Sequence, residues 1–446
     1  MRARLILVLC LVLAGEIGAE QKKTLSRIYD PIVLEGSRFK TLQGSPLNQL
    51  SLLAYQKGRL IPIPFQIDEK RENGEYAFQQ GEGAQPDSDP GFDANDELVF
   101  LAGDLGDRAP REIFPKTAQE IVELEITDPL DQSKAWAYLA LFSQNPPRSN
   151  IDYLRFEVKK KHKWVYSYDR FGYGLIVGSP IDAVYPDEFR VILKDHTTTP
   201  DILDRQKIRG IIHTKLLFDI DFKFDVLTRV RLKAWNDGPV RVIYRADGYL
   251  KLGFLKFRGE GYSLITYYPN CLVWPMYIKI PFSLSSFIES FEVRGYMDYN
   301  QNVIPAYVYS ESNPAPPKII LDGKTSPEEE KINTQSECRW IAGYKEYGAT
   351  INRLIFPKEW EMVKRRFYLK EDLETSARPE DDPGEIAVGY QFDNFEKVLA
   401  LEATYYQIYY FLPVFKPGDE KPLLNILDHP LKVQVKSPIT QTITEK

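Results

Sequence analysis

The sequence predicts a mainly β chain: a small N-terminal antiparallel β-sandwich followed by a large antiparallel β domain with few helices. Three observations predict it. Apolar and charged residues alternate at period two, Gly/Asn/Asp/Pro clusters punctuate the chain at short intervals, and helical periodicity is sparse. Phe218, Ile220, Phe222, Phe224 and Val226 alternate with Asp219, Asp221, Lys223 and Asp225 without a break. Such a segment has one buried and one wet face. Val122, Leu124 and Ile126 alternate with Glu123 and Glu125 in the same way. Further strands are expected over 135–142, 240–244, 249–257, 262–267 and 277–282, with turn signals at 236–239, 247–248 and 258–261. Strand–turn spacing without helical crossovers favours antiparallel sandwiches over βαβ units. Trp360, Val363 and Phe367 share a face at helical spacing and point to one helix over 358–374; the β-prone run Phe367-Tyr368-Leu369 argues against it.

The first nineteen residues read as a cleavable export signal. Arg2 and Arg4 precede an apolar run over 5–14, and Ala19 supplies the small residue that signal peptidase needs. The run is short for a spanning helix, which takes about twenty apolar residues, and no later segment is apolar enough. The expected setting is periplasmic or extracellular, with an uncleaved anchor as the alternative. Cleavage removes Arg2, Arg4 and Glu16, so the net charge moves one unit below the −6 of the full 446 residues. That acidity argues against nucleic-acid partners.

The expected organisation is an N-terminal sandwich over 20–145, a polar linker at 146–152 and a large domain over 153–437. A Pro- and Glu-rich stretch at 310–337 reads as a surface insertion, and 438–446 as a flexible tail. The mature chain keeps two cysteines, Cys271 and Cys338, which in an oxidising compartment pair as a disulfide or stay as buried thiols.

The densest polar pattern lies early. Residues 61–69 read as one edge strand, with Gln66 and Asp68 on one face and Phe65 and Ile67 on the other. An acidic loop follows. Asp87, Asp89, Asp93, Asn95 and Asp96 are the oxygen ligands a Ca²⁺ ion takes, although the spacing is not that of an EF-hand. The alternative is that these side chains cap turns. Arg241 and Asp247, on a later strand, are candidates with Gln66 and Asp68 for reading a ligand.

The run Pro62-Ile63-Pro64-Phe65-Gln66-Ile67-Asp68, followed by Asp96-Glu97-Leu98-Val99-Phe100, resembles a pattern in exported bacterial proteins, some encoded among polysaccharide-handling genes. The resemblance implies a small β-sandwich ahead of a galactose-mutarotase-like supersandwich domain. It transfers no catalytic residue, because no His/Glu pair of the mutarotase type can be placed.

Enzyme signatures are scarce. No Gly-x-Ser-x-Gly elbow, P-loop or dinucleotide fingerprint is present, and the four histidines lack metal-ligand spacing. His196, in a polar loop beside Asp195, is the best single catalytic candidate, the alternative being a surface histidine. Aromatic residues make up 13% of the chain; core packing is the simpler reading and a ligand platform the other. The expected function is a non-catalytic exported binding or scaffolding protein with a glycan as ligand, read by a row of rings such as Trp235, Tyr267 and Trp274. A polysaccharide-active lyase, hydrolase or epimerase on the large domain is the first alternative. A structural component contacting envelope proteins is the second.

Overall fold

The computed structural model describes residues 21–216, 218–252, 255–278, 286–316, 318–371, 373, 384–398, 403–436 and 439. The expected signal segment, and most of the expected tail, lie outside these residues. Among them the chain forms five antiparallel sheets, so the fold is mainly β and sandwich-like.

The first unit packs two sheets face to face. One is ordered β1 (Pro31–Glu35), β5 (Glu97–Leu101), β4 (Phe65–Asp68). The other runs β26 (Lys432–Val435), β6 (Ala118–Thr127), β7 (Lys134–Phe142), β2 (Leu50–Gln56), β3 (Arg59–Pro62). Leu34, Leu52, Leu98, Phe100, Leu124 and Leu139 fill the space between them. The segment 61–69 is two strands, not one. It breaks at Ile63-Pro64, because neither Pro62 nor Pro64 can donate to a ladder, and β3 and β4 belong to different sheets, each at an edge.

The second unit is built on a nine-stranded sheet. Its order is β14 (Thr228–Asp237), β15 (Val242–Leu252), β16 (Leu255–Tyr268), β17 (Cys271–Ile278), β25 (Ala403–Leu412), β22 (Gly348–Ile355), β21 (Trp340–Lys345), β19 (Ala306–Ser310), β20 (Ile319–Leu321). Two smaller sheets cover one face. The four-stranded one is ordered β11 (Glu188–Ile192), β10 (Gly174–Pro180), β9 (His162–Tyr168), β8 (Leu154–Lys159). The five-stranded one is ordered β13 (Asp219–Lys223), β12 (Leu203–Thr214), β18 (Ile288–Tyr299), β24 (Ala387–Asp393), β23 (Lys364–Lys370). Tyr244 of the large sheet stacks on Phe156, Phe411 stacks on Phe189, and Gln206 donates to Gln407. The first unit covers the opposite face: Ile243, adjacent to Tyr244 and so on the other side, packs with Phe78. Helix α2 (Glu420–Asp428) joins that layer, where Glu420 accepts from the buried Tyr309 hydroxyl.

Several expectations are corrected. Over 358–371 there is no long helix: a 3-10 turn at Lys358–Trp360 leads into β23, so the β propensity of Phe367-Tyr368-Leu369 prevails. The alternation over 218–226 stops early, turning helical in α1 (Phe224–Leu227). The stretch 310–337 contributes an edge strand, β20, whose Ile319 and Leu321 are fully buried. Residues 432–435 leave the second unit and add β26 to the first sandwich beside β6. Cys271 and Cys338 are buried free thiols. The register Cys271↔Tyr410, Tyr410↔Ile351, Ile351↔Ala342 sets β17 and β21 three strand spacings apart. That is roughly 14 Å, well beyond disulfide reach.

β26 is held by charge as well as by its ladder. Lys436 Nζ reaches Glu123 at 2.8 Å and Glu125 at 2.6 Å, and Lys134 also pairs with Glu125. Burial works against ionising Glu125, yet the two ammonium groups hold its carboxyl at about 2. A depressed carboxylate contributes stability that is present above its usual 4.5 and lost as pH falls through 2. Urea melts of Glu125→Gln should therefore lose less stability than the parent between pH 4.5 and 2; parallel profiles would contradict the clamp.

Candidate functional site

Gln66, Asp68 and Arg241 are brought together; Asp247 is not. Alternation in β4 turns Gln66 and Asp68 inward, and Arg241 enters from the second unit just ahead of β15. Arg241 Nε donates to Asp68 at 2.7 Å, Gln66 Nε2 donates to both Asp68 oxygens, and Gln66 Oε1 accepts from the Val240 and Arg241 amides at 3.0 and 2.8 Å. Arg241 also pairs with Glu97, whose second oxygen takes Lys70. Burial opposes ionising Glu97, but Arg241 and Lys70 hold its carboxyl below the usual range. Asp68, Gln66 and Arg241 are all buried, so no ligand reaches them: this is a lock between the two units. Asp247 instead pairs with Arg245 on its own strand.

The acidic loop spends its oxygens on its own backbone. Asp96 accepts from the Lys70 amide at 2.9 Å and the Asp93 amide at 2.7 Å, and Asn95 donates to the Lys70 and Arg71 carbonyls. Asp87 and Asp89 accept from the Ser88 and Gly91 amides. Among the described residues no group of three or more His, Cys, Asp and Glu side chains is arranged to hold a metal ion, and the bonds that Asp96 and Asn95 make are those of turn caps. His196 stands exposed in a turn at φ +64°, while Asp195 bonds Thr197. The expected row of rings is likewise absent. Trp274 and Tyr267 are core residues, and Trp235 is partly buried with its indole N–H donated to Gln80.

Two constellations escaped sequence reasoning. The first lies on the five-stranded sheet, on the face turned away from the large sheet. Lys207 Nζ meets Asp298 at 2.7 Å and Glu385 at 2.9 Å, Lys370 meets Glu385 at 3.2 Å, and the Tyr296 hydroxyl donates to Glu385. Burial lifts Asp298 to about 6 although Lys207 opposes it. All of these groups are closed off from solvent in this conformation.

The second is an inverted strand. In β9 the side chains of Lys163, Val165 and Ser167 face the core at 2–4% exposure, whereas His162, Trp164 and Tyr166 are partly exposed and Tyr168 is 41% exposed. Lys163 is accommodated because its ammonium donates to the Pro180 and Ala183 carbonyls, at 2.5 and 2.7 Å, and lies over the Tyr244 ring. Ser167 donates to the Pro269 carbonyl at 2.8 Å. The rings therefore stand on the outer face. Register pairs Trp164 with Gly178 and Tyr168 with Gly174. A Cβ on either glycine would come within 3.0 Å of the ring opposite it, so both rings lie over bare backbone. Trp164 donates its indole N–H to Glu188 at 2.9 Å, His162 stacks on Trp164, and Arg155 lies 4.5 Å over the Tyr166 ring. From Trp164 to Tyr168 the row spans roughly 13 Å. Fixed rings backed by glycine, with carboxylates and cations at their edges, can stack flat apolar faces and bond hydroxyls at the rim.

No family model matches the chain, and no curated protein does. Function is therefore argued from the site itself.

Truncating Arg241 leaves the buried Asp68 carboxylate with Gln66 as its side-chain partner and no opposing charge, a loss of about 3–5 kcal/mol. Arg241→Ala should show that loss in urea melts and Asp247→Ala almost none; equal effects would contradict the lock. Burial lowers Lys163 to about 7 from 10.5. Its contribution is fully present above pH 10.5 and is lost as pH falls through 7. Lys163→Met should flatten the rise in stability between pH 7 and 10, and an unchanged slope would refute the assignment.

Proposed function

We propose that the chain is an exported, non-catalytic binding protein that seats a glycan on the outer face of its four-stranded sheet. The observation that carries this reading is the inversion of β9. Folding places a lysine and a serine in the core beside Val165 and sets Trp164, Tyr166 and Tyr168 on the outer face, against the usual preference of lysine, serine and aromatic residues. A rule broken at one strand and compensated by specific hydrogen bonds is what a functional surface requires. A pyranose offers an apolar C–H face and a rim of hydroxyls. The C–H face suits the negative π face of a ring lying on the sheet; the rim suits Glu188, Arg190 and His162.

A polysaccharide-active enzyme is the second reading. What favours it is Asp298, held near 6 beside the ion-paired Glu385, which gives one acid and one carboxylate. Burial of both counts against it.

The test is a glycan array on the protein lacking residues 1–19, followed by calorimetry and a depolymerisation assay on each hit. Each stacked ring contributes about 0.5–1.5 kcal/mol. Trp164→Ala/Tyr166→Ala should weaken binding tenfold or more while the variant keeps a cooperative thermal transition, and the bound glycan should stay intact. Undiminished binding by that variant would defeat the platform; cleavage abolished by Asp298→Asn would favour the enzyme.

A further inference from the structure

The charge around the rings narrows the ligand. The hairpin joining β8 to β9 carries Lys159, Lys160 and Lys161 in succession, all exposed, immediately ahead of His162. Arg155 extends from the outer face of β8 onto the Tyr166 ring, and Arg190 stands on β11. Three acids on this face are already engaged, and the exposed Asp182 stands near the hairpin. Glu157 pairs with Lys159 and Arg155, Glu188 takes Arg190 at 2.8 Å and the Trp164 indole, and Asp187 takes His162 at 3.3 Å. Lys159 and the Tyr166 hydroxyl hold the Glu157 carboxyl below its usual range, so it stays ionised and satisfied. Lys160 and Lys161 enter no ion pair among the described residues, and both sit at the hairpin tip at the Trp164 end of the row.

A basic edge on a chain of net charge −6 is a local reversal of sign. Lysine ammonium groups on a tight turn are mobile point charges. They suit anionic groups repeated along a flexible chain better than one carboxylate fixed in a pocket. We infer that the glycan is acidic, a polysaccharide bearing uronate or sulfate groups, lying along β9 with sugar rings on Trp164 and Tyr166 and anionic groups over Lys160 and Lys161. This rests on the platform reading of the same face and adds the charge of the ligand to it.

The full mature chain is titrated by calorimetry at low and high salt with polygalacturonate, dextran sulfate, neutral dextran, oligo(dT) and phosphatidylglycerol vesicles. Trp164→Ala/Tyr166→Ala and Lys160→Glu/Lys161→Glu are titrated alongside. The expected result is binding to polygalacturonate or dextran sulfate that weakens with salt and falls tenfold or more in each double variant. Preference between those two acidic polymers separates uronate from sulfate recognition. Binding of neutral dextran that needs the rings and ignores the lysines would overturn the acidic ligand while leaving the platform standing. Glycan binding that survives loss of the rings would overturn both. Tighter binding to oligo(dT) or to vesicles than to any glycan, or no binding to either acidic polymer, would also overturn the inference.

Discussion

A nine-stranded sheet covered on both faces must find polar partners for any charge lying against it, and at the junction of the two units that charge is Arg241. Its guanidinium is met by Asp68 and Glu97, and Gln66 bonds both Asp68 and the Arg241 amide. A buried ion pair adds little net stability, but leaving it half-made is costly. The lock therefore works mainly as a registration device, fixing which face of the first sandwich meets the large sheet. With that face taken, and the other filled by the two smaller sheets, the surface offered to solvent is the outer side of those smaller sheets.

Their outer sides differ in kind. The five-stranded sheet turns a satisfied network around Lys207, Asp298 and Glu385 into a closed layer. The four-stranded sheet displays rings. It can do so because its inward polar groups find backbone carbonyls: Lys163 those of Pro180 and Ala183, Ser167 that of Pro269. Bonding to carbonyls offsets part of the cost of burying these donors, which leaves the opposite side of β9 to residues that would ordinarily be core.

How much of this is legible in the sequence varies by element. Period-two alternation marks β6 and β13, and alternation in β4 puts Gln66 and Asp68 on one face. Local patterning cannot show that Arg241 would meet them, nor that Lys432–Val435 returns to β6, because both are long-range pairings. In His162-Lys163-Trp164-Val165-Tyr166-Ser167-Tyr168 the shared face of the aromatic residues is plain, but its direction is not. Ordinary burial preference points the rings inward and the lysine outward, the reverse of the structure. The acidic loop is ambiguous in sequence for a similar reason: Asp96 and Asn95 are equally good as metal ligands and as backbone caps, and the bonds they make here are those of caps.

Hydroxyl-radical footprinting with mass spectrometry, with and without a bound glycan, tests the inverted strand most directly. Trp164, Tyr166 and Tyr168 should be oxidised in the free protein while Trp274 and Tyr267 stay unmodified, and the glycan should protect the first three. Oxidation of Trp274 and Tyr267 with Trp164 and Tyr166 inert, or rings equally reactive with glycan bound, would contradict the account.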